Sequence, residues 1–303
     1  MICKNRYRSS ASDRIFNIIS YSILSLGCLL ILYPLYFIIL AAFSDPQYVL
    51  SGQVVLIPKG ITISGFKRIF HYAPLWRGYV NSIFYSVFGS IFSTACTLFA
   101  AYPLSRKDFP GRRILSVFIL IPLFFQGGLI PQYIVINALG LRNTYWVLIL
   151  VSGIQIMNIF IASSYLRATN IEELYEASVM DGCTHFGYFF KVLLPVSVPI
   201  VIVMLLLYGV WQWNDYFRAM IYLDHSEYYP IQLILKELLA YNQVSGSFFE
   251  MLSEDQEAYA EMLKAAESMK YGIIIVAAFP MLAVYMFLQK YFVAGVTAGS
   301  VKG

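Results

Sequence analysis

Between Arg167 and Pro195 the chain is too polar to span a bilayer and too rich in helix formers to be a plain linker. Its centre reads Glu172-Glu173-Leu174-Tyr175-Glu176-Ala177-Ser178-Val179-Met180-Asp181-Gly182. Leu174, Ala177 and Ser178 fall at the i, i+3, i+4 spacing of one helix face. Glu172 and Glu173 sit in the first turn, where the helix dipole favours carboxylates. Asp181-Gly182 is a turn signal, because glycine accepts a positive φ and aspartate can hydrogen-bond its local backbone. A second amphipathic stretch places Phe186, Phe189, Phe190 and Leu193 on a common side before Pro195 and Pro199. The chemistry this pattern suits is docking rather than bond-making: a knob with an apolar side and a charged rim fits a groove in a soluble partner. A helix lying on lipid headgroups has the same amphipathic character.

Two further groups stand out. Trp211-Gln212-Trp213-Asn214-Asp215-Tyr216-Phe217 puts an acid inside an apolar run, where a charge is costly and generally retained for a purpose. Trp211, Trp213, Asn214 and Asp215 offer indole faces and polar groups suited to a ring-shaped, hydroxylated solute; an interfacial aromatic belt is the alternative. Pro122, Gln126, Gly127, Gly128, Pro131 and Gln132 interrupt another apolar run. Helix-breaking residues at membrane depth are tolerated beside protein or a cavity, so this predicts a broken helix facing a pathway, with Gln126 and Gln132 as hydroxyl partners, or else a kink toward lipid.

Bond-making chemistry has little support. His71, His185 and His225 are scattered, and Cys3, Cys28, Cys96 and Cys183 show neither CxxC spacing nor a pairing pattern, so neither a metal site nor a disulfide framework is expected. No G-x-x-x-x-G-K-S/T loop is present, so no nucleotide site is expected in this chain.

The elements that must position these residues are membrane helices. Of 303 residues 59% are hydrophobic and 13% charged, and Ile15 to Ser44 carries no charge at all. Mean hydropathy is +0.67, which no soluble core of this length needs. The net charge of +4 is too small to suggest nucleic acid. A bilayer core takes about 20 apolar residues per helix, and six segments qualify: Ile15–Phe43, Tyr79–Leu104, Ile114–Ile136, Tyr145–Leu166, Val196–Tyr222 and Tyr271–Leu288. The first reads as an uncleaved span rather than a secretion signal, being too long and lacking a cleavage site. Lys4, Arg6, Arg8 and Arg14 precede it, and Arg106, Lys107, Arg112 and Arg113 crowd the link from Ser105 to Arg113. Both are cytoplasmic by the positive-inside rule, giving a multi-pass protein with both termini inside. Residues 44–78 and 224–270 are then outside. Within the latter, Ser253–Lys270 reads as a helix with Glu254, Asp255 and Glu257 near its start and Lys264 and Lys270 near its end. It is either a solvated cap or a docking element.

Glu176-Ala177-Ser178, Gly182 after three residues, and then Val192-Leu193-Leu194-Pro195 resemble the EAA signature of ABC-importer permeases. Ser178 stands for the second alanine and Val192 for isoleucine, both conservative in size or branching. Glu173-Leu174 and Asp181 also match the family's usual form. The Trp213-Asn214-Asp215 stretch resembles that of sugar permeases. The ending Tyr291-Phe292-Val293-Ala294-Gly295 through Gly299-Ser300-Val301-Lys302-Gly303 resembles that of the maltose-permease-like carbohydrate group, in its complex-saccharide branch.

The resemblance covers roughly Tyr79 to Gly303. It implies an all-α type I importer permease (MetI-like) fold: residues 1–78 as cytoplasmic segment, first helix and outer loop; 79–292 as a five-helix core with coupling loop 167–195 and outer loop 224–270; and 293–303 as a cytoplasmic tail close to the ATPases. It implies a second homologous permease, two copies of an ATP-binding subunit that hold ATP and Mg, and an extracytoplasmic solute-binding protein that meets loop 224–270. Glu173, Glu176, Ala177, Ser178, Asp181 and Gly182 are the expected ATPase-coupling positions. The same architecture carrying a peptide or amino acid is the nearest alternative. An ion-coupled transporter would ordinarily show an internal repeat, and none is evident.

Overall fold

The computed structural model describes residues 11–125, 127–151, 153–168, 171–240 and 269–287. These fall into two compact units, one holding the described residues up to His71 and from Met269 to Val276, the other those from Tyr72 to 240 and from Ala277 onward.

In the first unit, α1 (Ala11–Ala42) is a 32-residue helix with Pro34 inside it. Its most apolar window has a mean hydropathy of 2.5 and is 6% buried within the chain, so nearly its whole circumference is left uncovered by the described residues. α2 (Pro46–Leu50) starts sharply: Pro46 pre-sets φ, and the Gln47 N–H donates to Asp45 Oδ1 at 2.9 Å. α3 (Ser64–His71) buries Ile69 and packs the Phe66 ring against Phe43, centroids 5.1 Å apart and planes tilted by 33°. Gly272 lets that face approach closely, since a Cβ there would lie 2.7 Å from Ile69 Cδ1.

The second unit is organised on α4 (Ala73–Ser105), 33 residues long. One face carries Ser82, Ser86, Gly89, Ser93, Thr97 and Ala101, all buried at spacings of three or four. Small residues in that register let other helices pack backbone-close. Arg112 opens α5 (Arg112–Phe124), followed by α6 (Leu129–Ala138), α7 (Tyr145–Leu150) and α8 (Ile156–Ala168). Next come α9 (Ile171–Met180), α10 (His185–Tyr188), a π-helical turn over Phe189–Leu193, and α11 (Leu194–Val196). α12 (Val198–Trp213), α13 (Phe217–Tyr222), α14 (residues 231–240) and α15 (Met269–Phe287) complete the described chain. α4 packs chiefly on α12 and α8. The core between them holds Leu98, Leu104, Leu166, Tyr188, Met204 and Tyr208.

No strand occurs among the described residues. Among the described residues three helices are long and apolar enough to cross a membrane unbroken: α1, α4 and α15. Two bent pairs, α5 with α6 (109°) and α10–α11 with α12 (82°), bring the number to five. The difference from the six expected segments lies in breaks that apolar content cannot register. The expected fourth span is two helices, α7 and α8, with Gly153 at φ +49° between them. The expected fifth span is interrupted at Ser197 and again from Asn214 to Tyr216. Most of the helix expected over Ser253–Lys270, and the tail 293–303, lie outside the described residues.

Candidate functional site

The acidic stretch forms α9, and its end is set by backbone chemistry. Gly182 has φ +78°. Its N–H donates to the Val179 carbonyl at 2.9 Å, and the Cys183 N–H donates to the Ser178 carbonyl at 2.9 Å. This bond pair is the Schellman arrangement, with Gly182 as the left-handed residue that satisfies the last free carbonyls. Thr184 then caps α10, its hydroxyl accepting from the Gly187 N–H at 3.2 Å. Two helices therefore meet through a stop and a start only three residues apart.

The face that α9 turns outward carries Glu173, Glu176, Ala177, Val179 and Met180, succeeded by exposed Asp181 and Gly182. Most of them line a shallow groove with Tyr175. The inner face is Leu174, Tyr175 and Ser178 rather than the expected Leu174, Ala177 and Ser178: Ala177 is exposed, because the broad Tyr175 ring covers more apolar surface than a methyl group. Ser178 is 6% exposed and its hydroxyl donates to the Tyr175 carbonyl at 2.7 Å, so its side chain serves the loop's own packing. The expected common face of the second stretch is also split. Phe189 and Leu193 are buried while Phe186 and Phe190 are exposed, since the π turn widens the helix and shifts the angular position of each side chain along it.

The link after α4 grips this loop. Lys107 Nζ lies 2.9 Å from Glu172 Oε2, and its backbone N–H donates to Oε1 at 3.2 Å. The ammonium's hydrogen bond, and then the backbone one, hold the Glu172 carboxyl below its ordinary range. Arg106 pairs with Asp108 and lowers that carboxyl in the same way. In the sequence, Arg106 reads only as a basic marker of sidedness.

The aromatic–polar stretch ends α12. Trp213 is 2% exposed; its indole N–H donates to the Ala277 carbonyl at 3.2 Å and its ring meets Tyr79 edge-on. The face of α12 that carries Trp213 turns toward neighbouring helices. Asn214 is exposed, its amide donating back to the Val210 carbonyl at 2.8 Å. Asp215 faces Arg218 of the next turn, Oδ2 to Nε 2.5 Å, both side chains about nine-tenths buried. The contact is ionic rather than a well-aligned hydrogen bond. The guanidinium sits 4.0 Å from the Trp211 ring centroid, and its Nη2 donates to Gln212 Oε1 at 2.9 Å. Gln212 in turn donates to the Leu148 carbonyl at 3.1 Å. One turn earlier, the Tyr208 hydroxyl accepts the Gln155 N–H at 3.1 Å and shares a 2.7 Å hydrogen bond with Thr97. α12 thus satisfies a carbonyl before the break between α7 and α8 and an amide after it, as irregular backbone at membrane depth requires. Arg218 and Gln212 do not stand out in the sequence; a second charge three residues after Asp215 is the one available signal.

The third expected span is broken where its prolines and glycines lie, α6 starting after Gly128 at φ +81°. Gln132 is exposed on α6. Gln126 lies outside the described residues. Elsewhere in this unit, Asp224 is held by Asn143 Nδ2 (2.8 Å) and Arg142 Nη2 (2.6 Å), which keep its carboxyl below the ordinary range. Among the described residues no group of three or more His, Cys, Asp or Glu side chains could hold a metal ion.

Broken apolar helices packed on a small-residue stripe, with a glycine-ended acidic helix projecting from them, define a polytopic helical membrane protein built to engage a partner. Residues 89–298 match the family described as binding-protein-dependent transport system inner membrane component, and the chain belongs to that family. The polygalacturonan/rhamnogalacturonan transport system permease protein YtcP of Bacillus subtilis (strain 168) is 33% identical over 293 residues, 96% of this chain and 99% of that protein. The arabinooligosaccharides transport system permease protein AraQ of Halalkalibacterium halodurans is 28% identical, covering 89% of this chain and 91% of its own. A crystal structure of a bacterial ABC transporter involved in import of the acidic polysaccharide alginate superposes with a TM-score of 0.82 at 30% identity, covering 94% of this chain and 99% of that one.

Proposed function

We propose that this chain is one of two homologous permease subunits of an ATP-driven carbohydrate importer, taking an oligosaccharide from an extracytoplasmic binding protein. Its six spans place both termini in the cytoplasm, the broken ones each counting as one crossing. The observation that carries the reading is the outward face of α9, where Glu173, Glu176, Ala177 and Asp181 stand exposed ahead of a glycine stop. This face docks on one of two ATP-binding subunits, which hold the ATP and Mg; the chain itself supplies coupling and half the pathway. Trp211, Asn214, Asp215, Gln126 and Gln132 border the pathway, while Trp213 supports it from behind. Relatives named for polygalacturonan, rhamnogalacturonan and arabinooligosaccharides support a saccharide cargo.

The test is ATP hydrolysis by the complex purified in lipid with its partners, with and without binding protein loaded with candidate oligosaccharides. Stimulation by one saccharide class is expected. Stimulation by peptides or amino acids alone would keep the permease assignment and overturn the cargo. Uptake that survives loss of the ATPase and tracks an ion gradient would overturn both.

A further inference from the structure

Arg106 is the first residue beyond α4, and it is 8% exposed, an unusual place for a guanidinium. It is fully employed there. Nε donates to Asp108 Oδ1 at 2.7 Å, and Nη1 donates to the Tyr102 hydroxyl, on α4 itself, at 3.3 Å. Those two bonds fix the guanidinium plane relative to the helix end. Its carbon then lies 3.5 Å from the centroid of the Tyr175 ring, in the middle of α9. That ring is also stacked on His185 of α10 (centroids 5.4 Å, planes 18° apart) and meets Tyr188 edge-on at 5.2 Å. Tyr188 is wholly buried and packs beside Tyr102. A single cation at the end of α4 is thus pressed on the one ring that both helices of the projecting loop share.

Two lesser ties run in parallel. Arg167 Nη2 donates to the Leu104 carbonyl at 2.7 Å, and Lys107 pairs with Glu172. The Lys107 pair is open to solvent and screened by salt, whereas the stacked guanidinium is shielded from both.

We infer that Arg106 is a positioning residue that makes α9 and α4 move as one body, so that a push on the loop enters the membrane through α4. This rests on the proposed docking of α9 to an ATPase. The loop is also joined covalently to α8 before it and, through α10 and α11, to α12 after it, and those routes reach α4 only through the packing of α8 and α12. With Arg106 in place, the two helices that pack most closely in the second unit, α4 and α12, receive the push together.

The experiment uses the whole complex in proteoliposomes, with binding protein and an oligosaccharide that stimulates it, and reads solute imported per ATP hydrolysed. Arg106→Ala and Tyr175→Leu each lower that ratio about tenfold, within the usual range of coupling energies, while hydrolysis persists. Tyr175→Phe keeps the ring face and stays near wild type. Lys107→Ala, which removes only the exposed tie, does the same. Arg106→Lys keeps the charge but not the planar stack, and falls between. The double variant loses less than the two singles combined, because the contact between guanidinium and ring is removed by both. An unchanged ratio in Arg106→Ala, or equal losses in Tyr175→Phe and Tyr175→Leu, overturns the inference. Should Arg106→Ala fail to assemble, the two Tyr175 variants decide alone. A disulfide between Ala177→Cys and a cysteine in the ATPase cleft reports docking separately. If it forms while the ratio is unchanged, the transmission route is wrong and the docking reading stands; if it never forms in an otherwise wild-type complex, the docking reading fails first.

Discussion

Replacing Gly182 isolates the contribution of one dihedral angle to coupling. The residue sits at φ +78°, and an ideal Cβ built on it meets nothing within 4 Å. A substitution therefore suffers no clash, only the backbone cost of the left-handed region, about 1–2 kcal/mol for an ordinary L-residue. That shifts the ratio of closed to opened turn by roughly 5- to 30-fold. Asparagine enters this region readily and is expected to stay near wild type. Alanine loses several-fold, and β-branched valine more, since such residues are genuine outliers at positive φ. Proline cannot adopt the angle and also deletes the N–H that donates to Val179, so it removes the stop altogether. Uptake and ATP hydrolysis are measured in parallel in proteoliposomes, with membrane insertion checked for each variant. The expected order of uptake is Gly, Asn, Ala, Val, Pro, with hydrolysis outlasting uptake in the last two. Wild-type uptake by Gly182→Val refutes the reasoning. Equal loss in Asn, Ala and Val refutes it differently, because it would mean that the partner tolerates no side chain there at any angle.

Gly89→Ala would put a Cβ 2.1 Å from Gln212 Nε2, costing about 1–3 kcal/mol through overpacking; adding Gln212→Ala should restore part of the lost thermal stability, and strictly additive losses would disprove the shared socket. Arg218→Met strands Asp215 in a largely buried site and should cost about 3–5 kcal/mol in unfolding of the detergent-solubilised complex. The double variant Asp215→Asn/Arg218→Gln should recover much of it, and no recovery would show that the pair does not act as a unit. Asp224 has a depressed carboxyl pKa, so its contribution is complete above the unfolded value of about 3.9 and is lost only as pH falls through the lower folded value. Hydrogen-exchange protection of the Asn143 amide, bonded to the Tyr222 carbonyl, should therefore be constant from neutral pH down to about 5 and fall in Asp224→Asn; a change within that range would refute the role given to the carboxylate.

The membrane class and the glycine-ended acidic helix are legible in the sequence because each rests on local chemistry. Uninterrupted apolar runs need no tertiary context, and Glu172, Glu173 and Gly182 act on their own helix ends. The breaks are legible only in part. Pro122 and the Gly127–Gly128 pair announce one, but the break between α7 and α8 depends on Tyr208 and Gln212, more than 50 positions further along the chain. The packing of Trp213 is not legible for a related reason: an indole suits a sugar face and a packed interface equally, and the rotation of α12 is set by its neighbours. Arg106 is hidden by its neighbours, since four basic residues in one short link read as a sidedness signal and conceal the single one that is buried.

The contrast between α1 and α4 bears on how each is held in the bilayer. α1 has a mean hydropathy of 2.5 and is almost unclothed by the rest of the chain, whereas α4 reaches 1.6 with 44% of its window buried. The serines and threonines that let α4 pack so closely also make it the less favourable of the two to expose to lipid on all sides. α1 partitions into lipid unaided. α4 instead relies on α8 and α12 to cover its polar stripe, so its place in the bilayer is tied to theirs in a way that α1's is not.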